Sequence, residues 1–169
     1  ACLEGLADRH GRQAVGRVRS AQAHRAAAAL LMTMPGMPML FAGDEIGEQG
    51  EWGEDSRTPF PWDRVDRWDT EMLDWYRTLI GIRQASSALR TGGLRWLVSG
   101  QTSVAFIRET ADERVLVVAS REPDAHVVVS RADLDVKGLE PLLGPEPEID
   151  GDHVTFRPGT AMAGIWRMS

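Results

Sequence analysis

Cysteine and lysine are nearly missing from this 169-residue chain: one of each occurs, Cys2 and Lys137, against eighteen arginines. A single cysteine excludes an internal disulfide framework and a cysteine-caged zinc site. The near absence of lysine is a coding or lineage bias and says little about function. A cationic excess is also lacking. Nineteen basic against 25 acidic residues leave a formal charge of -6, which argues against a binder of nucleic-acid phosphates. Long apolar runs are absent as well. The longest, around Ala26–Leu31, is interrupted by Thr33 and Pro35, too short to span a bilayer. No leader pattern of basic and apolar regions opens the chain. With 43% apolar and 26% charged residues, the composition is that of a soluble globular protein, expected in the cytoplasm.

What charge there is lies unevenly. Residues 1–33 hold five arginines and two acids, whereas residues 44–74 hold eleven acids and three arginines. Such a cluster is either a binding surface or a solvated acidic loop.

The first twenty residues show no clear period. Ser20 is a candidate N-cap for the alanine-rich run AQAHRAAAALLMTM, a strong helix former that Pro35-Gly36 must stop. Alanine on every side suits a helix enclosed by close neighbours. Met39–Ala42 follows as a short apolar run between Pro38 and Gly43, the pattern of a strand buried on both faces. Residues 48–68 then form a long loop rich in Gly, Pro, Trp and acid. Its tryptophans, Trp52, Trp62 and Trp68, require burial or a ligand. Asp69 or Thr70 caps a further helix, with Met72, Leu73, Tyr76, Leu79 and Ile80 on its apolar face. That helix is predicted to run to Leu89 and to end at Gly92-Gly93.

Beyond Gly93 the texture becomes short β-prone runs: LRWLV, SVAFIRE, RVLVVAS, HVVVS, HVTF and AGIWRM. Turn formers separate them, which predicts a small antiparallel sandwich with Trp96 and Trp166 in its core. The expected organisation is two units, residues 1–92 and residues 93–169.

The segment TMPGMPMLFAGDEIGEQGEWGEDSRTPFPWD, residues 33–63, resembles the end of the catalytic barrel in the α-amylase superfamily, glycoside hydrolase family 13. The Gly-Asp-Glu turn at Gly43–Glu45, the Asp-x-Arg-x-Pro-x-Pro-Trp-Asp signature from Asp55 to Asp63 and the Leu-Ile-x-x-Arg run at Leu79–Arg83 carry the likeness. It is specific for about residues 20–95; the β-rich tail is similar to the family's domain C by position and texture. The resemblance implies an α+β chain: helices and one short strand from the end of a (β/α)8 barrel, followed by an antiparallel β-sandwich. It implies an α-glycoside hydrolase or transglycosidase acting on α-glucans or α-glucosides; from the residues themselves, no cofactor or metal is expected.

The same resemblance implies three catalytic carboxylates: a nucleophile, an acid/base and a helper aspartate in a His-Asp pair. The first two belong to earlier barrel strands. His10 stands near the place of the third, but Gly11 occupies the aspartate position. No catalytic set is therefore assembled from this chain, and it is expected to show no turnover alone. Four residues remain as substrate-binding candidates. Glu45 either lies beside a sugar or bonds backbone amides of its own loop. Asp55 and Arg57 either orient a glucosyl hydroxyl or pin the loop by pairing. Trp62 either stacks on a sugar face or packs a loop mini-core. Of these, Arg57 and Trp62 are expected to hold the long loop rather than a ligand, Trp62 as a buried anchor.

Adjacent carboxylates such as Asp44–Glu45 do not meet the opposed placement that a retaining glycosidase requires, and no calcium-loop or histidine-zinc spacing occurs. Other readings are a stand-alone sandwich that binds carbohydrate or protein, and a translated fragment without function. Orphaned barrel surface around Ala26–Phe41 predicts self-association.

Overall fold

The structure, a computed structural model, describes residues 21–48 and 59–169. Helix α1 covers residues 21–33. Ala26, Ala28, Ala29 and Met32 turn inward and are buried, while Ala23 and Ala27 face outward. One face of the alanine helix is thus enclosed, not its whole circumference. Thr33 Oγ1 donates to the Ala29 carbonyl at 2.7 Å, and the chain turns away at Gly36, where φ is 108°. That left-handed backbone suits glycine because it has no Cβ.

Residues 37–41 form neither helix nor ladder, so the strand expected at Met39–Ala42 is not formed. A strand is defined by hydrogen bonds to a neighbour, and every described ladder lies beyond Gly92. A 3₁₀ turn at Asp44–Ile46 and another at Trp62–Arg67 follow.

Asp69 then caps α2 (Thr70–Ala85), its carboxylate accepting the Met72 N–H at 2.9 Å. Met72, Tyr76, Leu79 and Arg83 form the buried face of α2. The helix expected to reach Leu89 breaks at Ser86, whose backbone is extended. Its hydroxyl accepts the Leu89 N–H at 3.1 Å and so starts α3 (Ser87–Thr91). A serine that can cap the next turn competes with helix continuation. Gly92 closes the helical part. A Cβ there would lie 2.4 Å from the Ala88 carbonyl oxygen.

The remaining chain forms β1 (Gly93–Ser99), β2 (Ser103–Glu109), β3 (Arg114–Ser120), β4 (Val127–Ser130), a short helix α4 (Arg131–Leu134), β5 (Leu139–Leu143), β6 (Glu148–Asp150), β7 (His153–Phe156) and β8 (Ala163–Met168). All pairings are antiparallel, in a five-stranded sheet ordered β1-β2-β3-β8-β5 and a three-stranded sheet ordered β4-β7-β6. The six β-prone runs became strands. β5 and β6 escaped the sequence for physical reasons: Pro141 breaks the β5 pattern and sits at a register shift on the sheet edge, where proline is tolerated. β6 is three residues of exposed, mostly acidic chain.

Three layers result. Phe106, Val115, Val117 and Ile165 of the large sheet pack against Ala29, Met32, Tyr76 and Leu79 of the helices. The alternate residues Ala105, Ile107, Leu116 and Trp166 pack against Val127, Val129, Val154 and Phe156 of the small sheet. A sheet covered on both sides explains why β3 reads as a continuous apolar run. Trp166 is fully buried and donates to the Pro145 carbonyl at 3.0 Å. Trp96, expected in the core, is 50% exposed; β1 is an edge strand, and its indole only meets Phe106 edge-on at 5.2 Å.

Candidate functional site

The Gly-Asp-Glu turn is held by its own backbone. Gly43 and Gly47 flank it with φ of 105° and 68°. Glu45 Oε2 accepts the Gly43 N–H at 2.9 Å, so this carboxylate closes the loop that carries it. The Ile46 carbonyl accepts the Asp69 N–H at 3.0 Å, which ties the turn to the start of α2. Both expected roles for Glu45 were open; the bond observed is the one to its loop.

The chain leads into α2 through a segment with Phe60, Trp62 and Trp68. The Phe60 and Trp62 ring centroids lie 4.4 Å apart, Phe60 and Trp68 5.4 Å, and Trp62 and Trp68 5.8 Å. Trp68 Nε1 donates to the Pro61 carbonyl at 3.2 Å. The aromatic cluster expected in the loop is present, yet Trp62 is 72% exposed. The expectation that Trp62 is a buried loop anchor is therefore corrected: Pro61 and the 3₁₀ turn hold its backbone while the indole remains open to solvent. Asp55 and Arg57 lie outside the described residues, as do Trp52, Cys2 and His10.

Under the turn sits Tyr76. Its hydroxyl meets His24 Nε2 at 3.0 Å and joins α1 to α2. Burial, with Asp44 and Glu45 nearby, pushes the phenol up to about 12, so it remains neutral under ordinary conditions. Sequence placed Tyr76 on the apolar face and did not reveal this polar link.

Two further residues were missed as anchors. Arg83 donates through Nη1 to the Met32 carbonyl at 2.7 Å and to that of Met34 at 3.3 Å, and through Nη2 to Gly36. Arg108 on β2, 1% exposed, donates to the carbonyls of Thr33, Leu89, Gly92 and Gly93. Burial pulls both guanidinium groups below their usual range, and Arg83 adds to this at Arg108. The signal was an arginine inside the apolar run of β2 that no alternating pattern explains.

A cleft of about 950 Å³ opens elsewhere, between Ala23, Ala27 and Leu30 of α1 and Thr102, Ser103 and Glu122 at the end of the large sheet. Neither Glu45 nor Trp62 lines it. Among the described residues, no group of three histidine, cysteine or acidic side chains is arranged to hold a metal, and no helix is long and apolar enough to cross a membrane.

Comparison with known proteins adds several likenesses. The chain is 33% identical over 95 residues to a cyclomaltodextrinase of a Bacillus species, covering 55% of this chain and 17% of that enzyme. It is 35% identical over 109 residues to the amylopullulanase of Thermoanaerobacter thermohydrosulfuricus, covering 63% of this chain and 7% of that enzyme. The solved debranching enzyme from Nostoc punctiforme superposes with a TM-score of 0.70 at 29% identity, over 86% of this chain and 30% of the other. No family model matches. The chain thus spans less than a fifth of the curated relatives named here. Helices, Gly-Asp-Glu turn and two-sheet sandwich agree with these likenesses: the chain is similar to the C-terminal part of α-amylase superfamily enzymes.

Proposed function

We propose that this chain supplies the barrel end and the domain C-like sandwich, residues 1–92 and 93–169, of a cytoplasmic α-glycoside hydrolase or transglycosidase of carbohydrate metabolism. Its substrate class is α-glucans or α-glucosides, the class on which relatives named cyclomaltodextrinase and amylopullulanase act. The observation that carries this reading is the exposed indole of Trp62 packed on one side against Phe60 and Trp68. An indole fixed by its neighbours and open on one side offers an apolar face to a sugar ring at low entropic cost. Asp55 and Arg57, in the same signature, are proposed to orient glucosyl hydroxyls, and Glu45 to hold its own turn.

The chain alone assembles no catalytic carboxylate set and should not turn over substrate. A chromogenic α-glucoside assay tests this. Hydrolysis lost on changing Glu45 or Trp62 would overturn the reading.

We further propose that the chain self-associates. Met37, Met39 and Phe41 are 94%, 82% and 53% exposed on an unladdered segment, an apolar surface that a second copy would cover. Sedimentation at rising concentration should show dimers or larger species. A monomer throughout contradicts it.

A further inference from the structure

We propose that Arg83 and Arg108 are positioning residues for the Gly43–Glu48 turn, acting through the end of α1. Only the consequence for glucan binding rests on the functional reading above; the positioning itself does not.

Residues 37–42 link two anchors. At the far end, the turn is fastened by the Asp69 N–H on the Ile46 carbonyl. At the near end, the carbonyls of Met32, Thr33, Met34 and Gly36 are taken by the two guanidinium groups. Between the anchors there is no ladder to set direction. The path of the link is therefore fixed by where the chain leaves Gly36, and that exit is held by arginine.

The last carbonyls of a helix lack intrahelical donors, and a cation there is favourable. Arg108 joins two such ends: Thr33, the last residue of α1, and Leu89 with Gly92, in α3 and at its cap. It also reaches Gly93 at the start of β1. No ion pair with a carboxylate involves Arg83 or Arg108 among the described residues. Both side chains are thus committed to backbone oxygens, and the planar fork of each fits several at once. A charge buried this deeply without a counter-ion is costly unless its donors are used. Here they are used to hold one turn against both α3 and the sheet.

Amide hydrogen exchange on the whole chain tests the proposal, with Arg83→Met, Arg83→Lys and a control, Leu79→Val, which trims the same buried face of α2 without touching a carbonyl. Arg83→Met should speed exchange at Asp44, Ile46 and Glu48 roughly tenfold to hundredfold, with amides of β2, β3 and β8 unchanged. Arg83→Lys, which keeps the charge but not the fork, should fall between parent and Arg83→Met. Leu79→Val should leave the three turn amides near their parent rates despite a lower denaturation midpoint. If Leu79→Val and Arg83→Met loosen the turn alike, or Arg83→Met leaves it unchanged, the proposal is wrong. If Arg83→Met does not fold, the comparison of Arg83→Lys with Leu79→Val decides on the same terms. A maltotriose titration of the parent separates the two readings: no binding overturns the glucan reading and leaves the exchange result standing.

Discussion

The Tyr76 hydroxyl and His24 Nε2 lie 3.0 Å apart across the α1–α2 interface. Tyr76 is the only tyrosine in the chain, so phenolate absorbance reports on it alone. Its phenol is raised from 10.0 to about 12 by burial, with Asp44 and Glu45 contributing. The titration should therefore be displaced toward pH 12 in the folded protein and return toward pH 10 in denaturant. A raised pKa means that the unfolded chain loses its proton first. Stability should be unaffected below pH 10 by this group and should fall as pH rises toward 12.

Glu113 predicts the opposite dependence. Burial would raise its carboxyl, but the Ala88 N–H and the Ser87 and Ser86 hydroxyls outweigh this and hold it below the usual range. All three bonds to Oε2 are 2.9–3.0 Å. A lowered pKa contributes stability that is present above the ordinary carboxylate range and is lost as pH falls through it. Glu113→Ala should cost about 1–3 kcal/mol at neutral pH, measured by denaturant unfolding. Its acid sensitivity should be weaker than that of the parent.

Trp62→Ala should change stability little, by about 1 kcal/mol or less, since an exposed indole leaves no cavity and only its ring contacts are lost. Thermal unfolding checks this. A loss on the order of 3–5 kcal/mol, typical of a buried tryptophan, would contradict the exposure of this indole.

Gly164→Ala should be among the most damaging small changes. A Cβ there would lie 2.2 Å from the Trp166 ring, which has no free space to enter because it is packed on Phe156 at 4.8 Å. Overpacking of this kind costs about 1–3 kcal/mol, readable as a lower unfolding midpoint with the slope unchanged.

Much of the fold was legible because its signals are local. Asp69 before α2, the apolar face of Met72, Tyr76 and Leu79, and the runs that became β1–β4, β7 and β8 each carry their own pattern. What was not legible depends on distant partners. The break at Ser86 is completed by Glu113, 27 residues away, and Met39–Ala42 lacks the neighbour that would make it a strand. Proline hid β5. At the candidate site, sequence nominated Glu45 and Trp62 but not their surroundings: Glu45 turns back onto Gly43, and Trp62 stands out from its aromatic base. Arg83 and Arg108 were invisible as anchors because carbonyl acceptors leave no mark in a sequence.

Whether this chain presents a glucan-binding surface is read most directly at the Trp62 indole N–H, followed by nuclear magnetic resonance during titration with maltotriose and identified by its loss in Trp62→Ala. The Trp62 signal should move progressively and saturate while that of Trp166, buried between the sheets, stays in place. A Trp62 signal that remains still at high maltotriose, or one that moves no more than Trp166, would contradict the glucan reading.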